Sequence, residues 1–251
     1  MATISNPTSA PSPPEAAARS VPPLENGDRL TRAEFERRYD AMPHLKKAEL
    51  IEGIVYMGSP VGHENHGRPH GRLGGWLDRY VEGTPGVELG DNSSIRLDRE
   101  AMPQPDAFLY ILPESGGRFR IGEGDIAEGA PELVAEVASS SASLDLHAKR
   151  EIYRRNGVRE YLVWRTRERA LDWFVLRGDD FQTLPPGPDG VFRSEIFPGL
   201  WLDFEALIRS DRAAVSAVLR RGLASPEHAA FVARLQAPGG GGPALTQVEA
   251  R

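Results

Sequence analysis

A chain of 251 residues with 40% hydrophobic and 26% charged content can bury one good-sized core with tails, and two full domains would be crowded. It has no cysteine, which excludes disulfides, thiolate nucleophiles and cysteine-ligated zinc and leaves carboxylates and histidines as the available metal ligands. The formal charge of -6, from 30 basic and 36 acidic residues, argues against a protein that coats nucleic acid non-specifically, because that mode depends on neutralising many phosphates; it does not exclude a nuclease.

Residues 1 to 28 are rich in Pro, Ser and Ala, lack apolar periodicity and read as a disordered leader. No run reaches transmembrane length and the first residues carry neither a basic nor an apolar signal region, so no membrane association and a cytoplasmic location are expected. Thr31 with Glu34 forms a capping-box pattern ahead of Phe35, predicting a helix from Thr31 to Tyr39. In AELIEGIVYMGSP, Gly53 separates two apolar runs, a pattern for a strand or tight hairpin with Glu49 and Glu52 near its turn. Leu73, Trp76, Leu77, Tyr80 and Val81 follow helical spacing, predicting an amphipathic core helix that starts near His63 and stops at Glu82 and Gly83. His63, His66 and His70 could share a face of it as metal ligands. The glycines and Pro69 weaken a regular helix there, and surface or substrate contacts are the preferred role for these histidines.

Val87 to Leu89, Ser94 to Leu97 and Ala107 to Ile111 read as strands, with Asp106 at the entrance of the last. A Gly-rich loop from Ser115 to Gly129 precedes Leu133 to Ala138, an apolar run that suits a strand buried on both faces and is interrupted by one charge, Glu136. Ser139 to Ser143 supply turn and N-cap chemistry, and a helix follows that stops at Asn156 and Gly157. Its periodicity puts Lys149 on the inward face with Ile152 and Tyr153. Glu160 to Arg165 and Ala170 to Leu176 read as a hairpin, Phe181 to Leu184 and Val191 to Phe197 continue the β signal, and PGLWLDFEAL closes the core domain at about residue 208. Arg209 to Gln236 reads as a helical extension with Ser225 as N-cap and Pro226 at the first position, and 237 to 251 as a flexible Gly-rich tail. From Lys149 to Arg169 eight basic residues stand against three acidic ones, which suits either a nucleic-acid contact or a solvated helix face.

If that helix folds back on its strand, Lys149 approaches Glu136. A salt bridge is the ordinary explanation of such a pair. Glu49, Asp106, Glu136 and Lys149 all sit beside or within apolar runs on separate elements that one mixed sheet could bring together. Three carboxylates and a lysine suit a Mg2+ site for phosphodiester hydrolysis.

The order ELIEGIVYM with Pro60 and His63, then PQPD before an apolar strand, APELVAEVASSS, Asp145 with Lys149 and Tyr153, GVREYLVW and PGLWLDF resembles the Uma2 family (DUF820) of endonucleases, over most of residues 29 to 208. That family is similar to the PD-(D/E)XK, or restriction endonuclease-like, superfamily. The resemblance implies an α/β (α+β) fold with a mixed central sheet flanked by helices. It makes Asp106 and Glu136 metal-binding acids and Glu49 a further ligand or water-positioning group. The superfamily's lysine two residues after the second acid would fall at Ala138, and Lys149 on the following helix takes its place. Asp145 and Tyr153 would orient Lys149 or pack its helix, and His63 would touch substrate. Ser139 and Ser140 are turn residues, since no histidine and acid accompany them as a nucleophile requires.

The expected function is an endodeoxyribonuclease that uses Mg2+, with Mn2+ as the alternative ion, acting on DNA as a symmetric homodimer. The alternatives are a catalytically inactive nuclease-fold module that binds nucleic acid or protein, and a structural protein whose charges form a buried ion-pair network.

Overall fold

The computed structural model of the chain describes residues 21–58 and 60–237. The elements in chain order begin with α1 (Arg32–Asp40), β1 (Ala48–Ile51), β2 (Ile54–Met57), α2 (Arg68–Glu82), β3 (Val87–Asp91), β4 (Ile95–Arg96) and β5 (Ala107–Ile111). Next are β6 (Arg120–Ile121), β7 (Ala127–Glu128), β8 (Leu133–Ala138), α3 (Ala142–Leu144), α4 (Arg150–Arg155), β9 (Glu160–Arg165) and β10 (Ala170–Arg177). The chain continues through β11 (Asp180–Thr183), β12 (Val191–Arg193), β13 (Trp201–Asp203), α5 (Phe204–Arg209), α6 (Arg212–Leu223) and α7 (Pro226–Leu235).

Six strands form the central sheet in the order β11-β10-β9-β8-β5-β3. The β8–β9 pair is parallel and the other pairs are antiparallel, so the sheet is mixed and flanked by helices as expected. A parallel pair requires a crossover, and α3 and α4 supply it. All six residues of β8 are buried, as its near-continuous apolar run requires. Alternation divides them: Leu133, Ala135 and Val137 face a main core shared with α2, whereas Val134 and Ala138 face a second core with Ile152 and Tyr153.

The AELIEGIVYM stretch is a two-residue hairpin, with Glu52 and Gly53 both left-handed at φ 52° and 72°. Thr31 caps α1 through the Glu34 N–H, but Glu34 turns to Arg37 and Arg38 instead of completing the box. The expected leader is engaged in its last residues: Leu24 is buried with Phe35, Leu50 and Val55, and the Gly27 N–H donates to Val55 O at 2.8 Å. Its first part, residues 1–20, lies outside the described residues, as does the tail from residue 238.

Two expectations need correction. The strand expected over Val191 to Phe197 stops at Arg193, because the buried Glu160 carboxylate draws Ser194 Oγ and the Glu195 and Ile196 N–H groups into a tight loop at 2.7, 2.7 and 3.1 Å. The helical extension is two helices, broken at Ser225, whose Oγ caps α7. Val215, Leu219, Phe231 and Leu235 from these helices belong to the main core. At Gly222 a Cβ would stand 2.1 Å from Gly199 O, so only glycine lets α6 come this close. Among the described residues no helix is long and apolar enough to cross a membrane.

Candidate active site

The second core has one polar corner, and strand alternation puts it there. Asp106 has the parity of Phe108, Glu136 that of Val134 and Ala138, and Glu49 that of Ile51, all second-core residues. Register then fixes the approach. In the antiparallel β5–β8 pair Ala107 stands opposite Ala135, so Asp106 comes level with Glu136, and the Val137 N–H donates to Asp106 Oδ2 at 2.7 Å. The β1–β2 hairpin is held by two hydrogen bonds between Leu50 and Met102, and the Gln104 N–H donates to Glu49 Oε1 at 2.8 Å.

Lys149 reaches the corner from the crossover. Between α3 and α4, Asp145–Lys149 forms a wide helical turn, a local unwinding often found at functional sites. Lys149 is only 4% exposed, and its Nζ lies 2.9 Å from Glu49 Oε1, 3.0 Å from Glu136 Oε1 and 3.6 Å from Asp145 Oδ1. The Tyr153 hydroxyl donates to the same Glu136 oxygen at 3.0 Å. Ser141 Oγ donates to Asp145 Oδ2 at 2.6 Å, and the Tyr161 hydroxyl to the Asp145 carbonyl at 2.9 Å.

Charge is crowded here. Burial pushes the Glu136 carboxyl up to about 8, against the pull of Lys149 and with the push of Asp145, Asp106 and Glu49. Burial also raises Asp145, although Lys149 and Ser141 oppose it. Lys149 goes the other way. Burial alone would weaken its hold on the proton, but Glu136, Glu49 and Asp145 together keep the ammonium well above the usual lysine range. At Asp106 burial is outweighed by the His66 hydrogen bond and charge and by the Val137 N–H, and the carboxyl is held below its usual range.

The structure thus brings together Glu49, Asp106, Glu136, Asp145, Lys149 and Tyr153, but not His63. His63 is exposed and only 3.9 Å from Glu64, whereas His66 Nε2 lies 3.3 Å from Asp106 Oδ2 and His70 Nε2 3.0 Å from the Asp106 carbonyl. Of the three histidines it is thus His66, not His63, that stands against the Asp106 carboxylate, while His63 lines a neighbouring cleft. Residues 63–67 form a second wide turn, which shifts the phase of the histidines from that of a regular helix. Glu52 is an exposed turn residue, 3.8 Å from Arg155. The basic run is largely engaged locally: Arg154 pairs with Glu151, Arg155 with Asp98 and Arg165 with Asp172, and Arg150 stacks over Phe174.

Among the described residues no three acids or histidines stand as a metal cluster, and the Lys149 ammonium bridges Glu49 and Glu136. The donor chemistry nevertheless fits a hard divalent ion. Glu49, Asp106 and Glu136 each commit one oxygen to protein partners, and the second oxygen of each accepts no hydrogen bond from the described residues.

A crystal structure of a putative nuclease belonging to DUF820 from Anabaena variabilis is 15% identical, with a TM-score of 0.48, covering 69% of this chain and 96% of that one. No curated protein matches the chain. A family model, Uma2, described as a putative restriction endonuclease, matches residues 32–205, which include all four acids, Lys149 and His66. The chain belongs to the Uma2 family.

Proposed function

We propose that the protein is a metal-dependent endonuclease acting on DNA. The observation that carries this reading is the convergence of three strand-borne carboxylates, Glu49, Asp106 and Glu136, on one buried ammonium borne by the crossover helix. Asp106 and Glu136 would hold Mg2+ or Mn2+, with Glu49 as a third donor. When bound, such an ion supplies Lewis-acid polarisation of the phosphoryl oxygen and water of lowered pKa. Lys149, its ammonium within 3.0 Å of Glu49 and Glu136, would act as a donor that orients the attacking water or stabilises charge developing on the phosphorus oxygens. Tyr153 fixes the Glu136 carboxylate, and His66 with the Val137 N–H fixes that of Asp106.

The test is cleavage of plasmid, single-stranded DNA and RNA with Mg2+, Mn2+ or EDTA. Asp106→Asn keeps an acceptor for the Val137 N–H and is expected to melt like the wild type while cutting about a thousandfold more slowly, equivalent to about 4 kcal/mol at the transition state. No cutting of any substrate by folded wild type with either ion overturns the reading in favour of a binding module. The proposed symmetric homodimer would present two sites to two strands, and sedimentation of the same preparation reads it directly.

A further inference from the structure

A cleft of about 510 Å³ opens between α2 and the α5–α6 junction, starting at the 63–67 turn that carries His66 to Asp106. Four arginines line it: Arg68, Arg72 and Arg79 from α2 and Arg212 from α6. Their placement is electrostatically unfavourable. Arg212 is the first residue of α6, where the macrodipole disfavours a cation. Arg72 Nε is buried with no hydrogen-bond partner, and the charges that act on Arg72 are the repulsive ones of Arg68 and Arg212. Two anions stand against the four arginines: Glu64 pairs with Arg68 at the rim, and Asp211, in the lining, accepts the Ala214 N–H at Oδ1 as the cap of α6.

The floor is equally unusual. Gly67, Gly71 and Gly75 recur every four residues from the end of the wide turn into α2, and all line the cleft. Glycine weakens a helix, and packing does not demand it at Gly71 or Gly75, where a Cβ would meet nothing within 4 Å. Their effect is bare backbone beneath four cations. A cleft that concentrates positive charge and offsets only part of it, over a floor that allows close approach, is complementary to a chain of phosphates.

We infer that this cleft binds backbone phosphates of the nucleic-acid strand beside the scissile bond, with Arg72 and Arg212 as the principal contacts and Gly71 and Gly75 as the surface the strand crosses. The inference rests on the nuclease reading of the adjacent carboxylates, and it extends the substrate path along α2.

The experiment is fluorescence anisotropy of the full chain with a short labelled duplex in EDTA, titrated over salt, with inorganic pyrophosphate binding measured in parallel by calorimetry. The Arg72→Gln/Arg212→Gln protein is expected to bind more weakly and to lower the slope of log K against log salt by about 1 for each arginine. Arg177→Gln, at the far edge of the sheet, should change neither. Gly71→Leu is the second variant: its melting temperature is expected to equal or exceed that of wild type while its DNA affinity falls, an outcome a merely structural glycine would not give. Unchanged affinity and slope in the arginine pair overturn the inference even where wild type cuts DNA. Pyrophosphate binding that depends on the arginines while DNA binding does not also overturns it, in favour of a small-anion site. Conversely, a slope set by the arginines in a protein that cuts nothing upholds the cleft and removes the nuclease reading alone.

Discussion

At Lys149 a single ammonium compensates three carboxylates, Glu49, Glu136 and Asp145, in a corner that excludes most solvent. Removing one partner from a buried ionic cluster leaves the others uncompensated, at a cost of about 3 to 5 kcal/mol. Lys149→Met is therefore expected to lose that much in a urea melt and to lose cleavage as well. Stability unchanged by this substitution would show that the acids already carry protons and need no cation. That Glu136 and Lys149 meet was readable from the residues alone, because a charge inside an apolar strand and a lysine on an apolar helix face each break a pattern. His66 was not readable. Which of three histidines meets Asp106 depends on the wide turn at 63–67, and no residue in that stretch marks the turn width.

Among the elements, β9 opens on a buried acid of the same kind as Glu136, with a structural partner set. Glu160 is fully buried and accepts from Ser194 Oγ, two backbone N–H groups and Trp173 Nε1, which pins the 194–197 loop to the sheet. Burial pushes its carboxyl up to about 7 against those donors. Because the folded value lies above the unfolded one, near 4.5, the folded state holds more protons between them, and this group's contribution to stability falls as pH rises from about 4.5 to 7 and is flat above. Glu160→Gln turns an amide donor towards other donors and is expected to cost about 1 to 3 kcal/mol. Urea melts of both proteins should show the wild-type advantage larger at pH 5 than at pH 7.5, and a larger advantage at the higher pH would reverse the sign assigned here. Sequence patterning recovered the hairpins, the core helix and the strand, turn and helix of 133 to 157, since their periodicities and stop residues are local. It could not separate Glu160 from Glu136, because what distinguishes them is a loop more than thirty residues away in the first case and a lysine thirteen away in the second.

At the scale of the molecule, the two C-terminal helices lie beyond the 32–205 family match yet complete the main core. Burying Val215, Leu219, Phe231 and Leu235 contributes roughly 1.5 to 3 kcal/mol each, a sum comparable with the whole stability of a domain, about 5 to 15 kcal/mol. A chain ending at Ser210 is accordingly expected to lose its cooperative thermal transition, and a sharp melt near that of the full chain would contradict it. The polar corner has the opposite relation to the fold. Glu49, Glu136, Lys149 and Tyr153 occupy second-core positions in shape while resisting them in charge, and buried ionic groups replaced together by apolar ones of similar volume often raise stability by about 1 to 4 kcal/mol. Glu49→Gln, Glu136→Leu, Asp145→Asn, Lys149→Met and Tyr153→Phe combined are thus expected to melt at or above wild type, in contrast to Lys149→Met alone, and to be inert towards DNA. On the nuclease reading, the charges that would cut are the ones the fold holds at a cost, so a sturdier form of this protein would be a silent one.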